Sequence, residues 1–197
     1  MARVRDVAIE EVPEDVRPVY ARYAHEYGPF LNQVRVFAHR PTALKHVMGL
    51  LLDLAQENVL PKRYLEIALV TVSKLSACAY CVSHHAPRAI AHGLEPETLQ
   101  RILEPDCPGL DAVDRLVRDY AVAVTERPQY IRDAMFEALG RHFSEEQIVE
   151  LTLRTALCGF FNRFNDALQI DIEDGVVEEM LALGFSRDDI PAKEAPG

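Results

Sequence analysis

The amino-acid sequence predicts an all-α fold. Every long segment with a hydrophobic period repeats at helical spacing, and no run alternates apolar and polar residues as a half-buried strand would.

Taken in order, a first helix is expected over residues 14–27, stopped by Gly28-Pro29, and a short one over 32–39. Pro41 opens a strongly amphipathic helix whose apolar face holds Leu44, Val47, Met48, Leu51, Leu52, Leu54 and Ala55. Asn58 ends it. Pro61 opens the next, which carries Leu65, Ala68, Leu69 and Val72 towards Ser76. Residues 78–92 read as a helix closed by Gly93, with a kink or early break expected at Pro87. A short helix over 96–103 precedes a loop with Pro105 and Pro108-Gly109. The helix over 111–125 sets Val113, Leu116, Val117, Tyr120, Ala121 and Val124 on one side, and Met135, Leu139 and Phe143 mark another helix. Ser144, with Gln147 three residues on, forms a capping box whose helix runs through Leu157 into 159–168. A last helix over 174–183 stops at Gly184, and residues 190–197 read as a disordered tail.

A chain of 197 residues with 49% apolar residues suits one domain, or two small helical halves on one core. The net charge of −10, with no basic block, argues against a nucleic-acid partner. No apolar run approaches the roughly 18 residues of a membrane span, and the first residues lack the apolar core of a signal peptide. A soluble, cytoplasmic protein is expected. In a reducing compartment a close cysteine pair is more often catalytic or metal-binding than structural. Of the four cysteines, only Cys78 and Cys81 are close. Cys107 sits in a proline-rich loop, and Cys158 reads as a small core residue in an apolar helix.

The segment from Ser76 to His85 carries the chemistry. Each helical residue advances ~100°, so Cys78, Cys81 and His85 share one face over two turns. A cysteine at a helix start gains from free N–H groups and the helix dipole, both of which favour a thiolate. With a second thiol beside it, such a thiolate can reduce a peroxide: one sulfur becomes a sulfenic acid and the other closes a disulfide. His85 could carry the proton. A structural zinc site would need a second pair of ligands, and Cys107 and Cys158 are distant and isolated. A shift of 84 residues sets Glu66 on Glu150, Cys78 on Asn162 and Cys81 on Asn165. Duplication and chance helical similarity account for this alignment equally well.

The pattern of Glu66, eleven residues, Cys78-Ala-Tyr-Cys81, three residues, His85 resembles the carboxymuconolactone decarboxylase superfamily, in its AhpD-like alkylhydroperoxidase branch. The residues before the site, Leu60-Pro61 and the later Asn162 to Leu168 agree with it. The resemblance implies an AhpD-like helical bundle over 31–170, with a helical extension at 1–30 and a final helix and tail at 171–197. It implies that Cys81 is the peroxidatic sulfur, that Cys78 is its partner, and that His85 and Glu66 form a proton relay, Glu66 polarising Cys78 or a linking water. Some relatives carry a second histidine directly before the second cysteine. Here Tyr80 stands there, a possible pocket residue and a poor base at neutral pH.

The expected function is therefore a thiol-dependent peroxidase acting on small hydroperoxides. It needs no bound cofactor or metal, and a lipoyl- or thioredoxin-type dithiol donor reduces it. The resemblance also implies a homo-oligomer. The alternatives are a non-catalytic dithiol redox sensor or interaction protein and, more remotely, a decarboxylase or lactone-processing enzyme. His84 points ~100° from His85 and reads as a surface or subunit contact. Arg163, Asn162 and Asn165 read as packing polarity.

Overall fold

The fold follows from one helix that the rest surround. The structure, a computed structural model, describes residues 2–25 and 27–187; the tail expected at 190–197 lies outside them. The described residues form ten helices and no strand. They are α1 (Arg17–His25), α2 (Leu31–Phe37), α3, α4 (Lys62–Leu75), α5 (Ala79–Ala91), α6 (Pro96–Gln100), α7 (Ala112–Glu126), α8 (Asp133–Leu139), α9 (Glu145–Leu168) and α10 (Asp174–Ala182). Helix α3 starts as Pro41–Ala43, passes through a π-turn at Leu44–Met48 and continues as Gly49–Glu57. Short 3-10 turns at Ile9–Glu11 and Pro128–Tyr130 complete the set.

Helix α4 is buried from Leu65 to Ser73 without a gap and packs most extensively on α5, α7 and α9. A helix buried on every side belongs at the centre of a fold. Its burial carries Glu66 into the interior. On one side lies an apolar core with Ile67, Val70, Leu99, Val117 and Leu151. A second core joins Tyr20, Tyr23, Tyr27 and Phe30 of the N-terminal segment to Leu44, Met48, Phe161 and the two close cysteines. The segment preceding residue 31 is thus packed against Cys78 and Cys81.

The capping signals are observed where the sequence places them. Ser144 accepts from the Gln147 backbone N–H at 3.2 Å, and the Gln147 side chain accepts from the Ser144 N–H at 3.1 Å. Gly93 takes the left-handed conformation (φ 84°) that ends α5. Two expectations need correction. The helix opened by Pro41 is interrupted by its π-turn, which apolar periodicity does not encode. Of the kink or early break expected at Pro87, the break is absent, since α5 runs from Ala79 to Ala91. Ala86 and Ala89 on either side are wholly buried, and that packing offsets the lost backbone hydrogen bond.

Candidate active site

The cysteine pair sits in the tight junction between α4 and α5. Ala77 adopts φ 51°, its N–H donates to the Lys74 carbonyl at 3.1 Å, and the Cys78 N–H donates to the Ser73 carbonyl at 3.0 Å. This is a Schellman closure of α4. Cys78 is in the same stroke the N-cap of α5, with extended backbone (φ −83°, ψ 98°), and Cys81 follows one turn later. Both are free thiols and both are buried. A hydrogen bond to Cys78, reinforced by burial, holds the Cys81 thiol well above its ordinary range. A negative charge on one of the two sulfurs keeps the proton on the other.

Cys81 and His85 line one cavity of about 30 Å³, together with Tyr23, Tyr27, Phe30 and Gln33 on the N-terminal side and Arg154 and Cys158 from α9. That volume holds a water-sized group. Cys78 lies behind Cys81 and is wholly buried.

Glu66 meets His85 rather than the cysteines. Its Oε2 is 2.9 Å from His85 Nδ1, and its Oε1 is 3.1 Å from Nε of Arg88, an ion pair outside hydrogen-bond geometry. Burial pushes the Glu66 carboxyl up, but His85, Arg88 and the His85 hydrogen bond outweigh it and hold the group below its ordinary value. For His85, burial prevails over the attraction of Glu66 and holds the imidazole below its ordinary value. Both directions fit an ionised carboxylate facing a neutral imidazole, with Arg88 as its lasting countercharge. The proton of that imidazole lies on Nδ1, which donates to Glu66, so Nε2 is the nitrogen left to exchange protons.

The structure lines one cavity with Cys81 and His85; Cys78 adjoins Cys81, and Glu66 adjoins His85. Tyr80 is placed differently: it is not part of the cavity wall. Its ring stacks on His84 at 4.2 Å, and its hydroxyl donates to Glu173 Oε1 at 3.0 Å. His84 is a correction. It is buried, not a surface contact, and lies 2.7 Å from Glu173 Oε2 with its ring also stacked on Phe30. Both faces of α5 are covered, so pointing away from His85 does not mean pointing to solvent. Asn162 donates to the Val72 carbonyl at 3.3 Å and Arg163 to the Gly159 carbonyl at 2.8 Å.

Sequence reasoning missed Arg88, Gln33, Asn165 and Glu173 as site residues. Arg88 could have been found, since it follows His85 by three positions on the same helix face. Asn165 had a signal in the 84-residue shift that sets it on Cys81. Among the described residues, no group of three or more His, Cys, Asp or Glu is arranged to hold a metal ion.

Residues 41–108 match the sequence profile of the carboxymuconolactone decarboxylase family. The matched segment is less than half of the chain. It contains Glu66, Cys78, Cys81, His85 and Arg88, whereas Gln33, Arg154, Asn165 and Glu173 lie outside it. The chain is 22% identical over 165 residues to the uncharacterized protein YnjA of Escherichia coli (strain K12), an alignment covering 82% of this chain and 90% of that one. Among solved structures it resembles a peroxidase-related protein with an alkylhydroperoxidase AhpD core from Ralstonia eutropha JMP134. The TM-score is 0.77 at 22% identity, over 89% of this chain and 94% of that one. It also resembles the debrominase Bmp8 in complex with 2,3,4-tribromopyrrole, with TM-score 0.73 at 21% identity, over 91% and 96% of the two chains. The fold is thus AhpD-like and all-helical, and it is a fold that carries more than one activity. Among the described residues no helix is long and apolar enough to cross a membrane.

Proposed function

We propose that the chain is a thiol-dependent peroxidase that reduces small hydroperoxides with Cys81. The observation that carries this reading is a small cavity lined by both Cys81 and His85, with Cys78 buried one turn before Cys81. His85 Nε2 takes the thiol proton, and the Cys81 thiolate attacks the terminal oxygen of the hydroperoxide. The O–O bond breaks, the leaving alkoxide takes the proton from His85, and Cys81 becomes a sulfenic acid. Cys78 then attacks that sulfur, the S–S bond forms, and hydroxide leaves as water with the Cys78 proton. Glu66 holds the His85 proton on Nδ1 throughout. An external dithiol of lipoyl or thioredoxin type returns two electrons by thiol–disulfide exchange. A cytoplasmic homo-oligomer without a bound cofactor goes with this reading.

Thiols are titrated with and without one equivalent of an organic hydroperoxide, and the peptide spanning Cys78 and Cys81 is weighed. The wild type should lose both thiols and that peptide two hydrogens, whereas Cys81→Ser should show neither change. Retention of both thiols after peroxide removes the assignment. Disulfide formation without turnover on any dithiol donor makes the chain a redox switch instead. Because the debrominase Bmp8 shares the fold, a brominated pyrrole is the second electrophile for the same titration.

A further inference from the structure

The sulfur of Cys81 is the end of a hydrogen-bond chain that begins in the N-terminal segment. Asn165 Nδ2 donates to Cys81 Sγ at 3.2 Å, Gln33 Nε2 donates to Asn165 Oδ1 at 3.0 Å, and the Tyr23 hydroxyl donates to Gln33 Oε1 at 3.0 Å. The three side chains come from α9, α2 and α1, and all are buried. The Gln33 backbone N–H is itself held by the Tyr80 hydroxyl at 3.3 Å.

A carboxamide has a donor end and an acceptor end, and turning it over reverses what it offers its neighbour. With N–H towards sulfur, Asn165 favours the thiolate, which is the stronger acceptor; with the carbonyl there it would favour the thiol. Gln33 decides between these, because its own N–H occupies the Asn165 carbonyl. Tyr23 decides for Gln33 in the same way. Each link is buried, so the preference is screened little by bulk solvent.

We infer that Asn165 is a catalytic residue that favours the thiolate of Cys81 over its thiol, and that Gln33 and Tyr23 are positioning residues which aim the Asn165 amide at the sulfur. This rests on Cys81 being the reacting sulfur. It gives residues ahead of the family segment a part in the chemistry and explains why buried amides, not apolar side chains, adjoin the thiol pair. Groups that titrate or carry charge around Cys81 are Cys78 and His85 on α5, Tyr23 and Tyr27 of the N-terminal segment, and Arg154 and Cys158 on α9. Asn165→Leu alters none of them.

The test follows thiolate absorbance in the ultraviolet against pH on the full chain, with Cys81→Ser identifying the step that belongs to Cys81. Asn165→Leu should move that step up by about one pH unit, a roughly 10-fold loss of thiolate at a fixed pH below it. Gln33→Leu and Tyr23→Phe should move it less. The double variant Gln33→Leu with Asn165→Leu should move it no further than Asn165→Leu alone, because Gln33 acts through Asn165. An unmoved step in a folded Asn165→Leu protein, or additive shifts in the double variant, overturns the inference. Should Asn165→Leu not fold, Asn165→Ala and Tyr23→Phe carry the test: an upward step supports it, and an unmoved step in both overturns it. The readout is ionisation, so a wild type that does not consume peroxide would end the peroxidase reading while leaving this result intact.

Discussion

The carboxylate of Glu66, wholly buried on α4, lies 2.9 Å from Nδ1 of the His85 imidazole on α5. The two helices are joined by Ser76, Ala77 and Cys78 alone. The turn that places the cysteine therefore also sets the carboxylate against the base.

Glu66→Gln keeps the shape and removes the charge. The amide can offer an N–H to Nδ1 and so force the imidazole proton onto Nε2, the nitrogen that must be free. Peroxide consumption at saturating dithiol donor should fall by roughly 10²-fold, the lower range of general acid–base contributions. Initial rates within twofold of wild type would show that His85 needs no such partner.

Acid should destabilise the fold through the same pair. Burial holds His85 below its ordinary 6.5 despite Glu66. The unfolded chain then takes up this proton first, so stability is full above that value and declines as pH falls through it towards the native one. Glu66 acts in the same sense at lower pH: its native value lies below 4.5, and its contribution, present above 4.5, is lost as pH falls through the native value. Urea midpoints should drop between about pH 7.5 and about pH 5.5. His85→Gln should flatten that drop, and an equal drop in the variant would assign it to other groups.

How much of this was legible in the sequence depended on whether the signal was local. The capping box at Ser144, the Gly93 stop and the juxtaposition of Cys81 and His85 one turn apart are matters of a few adjacent residues, and the structure has them. The π-turn in α3 and the survival of α5 through Pro87 are decided by packing, which periodicity cannot report. In the sequence His84 looks exposed, because helical geometry gives a direction but not what lies along it; Phe30 and Glu173, 54 and 89 residues away in the chain, lie there. Gln33 and Asn165 meet across 132 residues, and nothing in either neighbourhood names the other.

Ala77 is a place where the sequence departs from the local optimum. It holds φ 51° in a position that usually takes glycine or asparagine, at a cost of about 1–2 kcal/mol for a residue with a Cβ. Ala77→Gly relieves that strain and adds about 0.5–1 kcal/mol of chain entropy to be lost on folding. The net expectation is a stabilisation of up to about 1 kcal/mol, or roughly 2–4 °C in Tm for a chain of this size. A lower Tm would mean that the alanine methyl has packing value greater than its strain.

The last helix is attached to the site by one carboxylate. Glu173, the N-cap of α10, accepts from the Asn32 backbone N–H at 2.7 Å and the Tyr80 hydroxyl at 3.0 Å through Oε1, and its Oε2 meets His84 Nε2 at 2.7 Å. It thereby ties α2, α5 and α10 together. Removing it strands a buried hydroxyl, and each stranded polar group costs about 1–3 kcal/mol. Glu173→Ala should therefore lower stability by about 3 kcal/mol in urea titration, with faster amide exchange across Asp174–Ala182. Glu173→Gln keeps one acceptor oxygen and should lose about a third as much. Tyr80→Phe removes the hydroxyl's contacts with Glu173 and with the Gln33 N–H and should fall nearer the glutamine variant than the alanine one. If all three variants unfold at the wild-type urea concentration, α10 is held by its apolar face through Val176 and Met180, and the carboxylate contributes nothing to its docking.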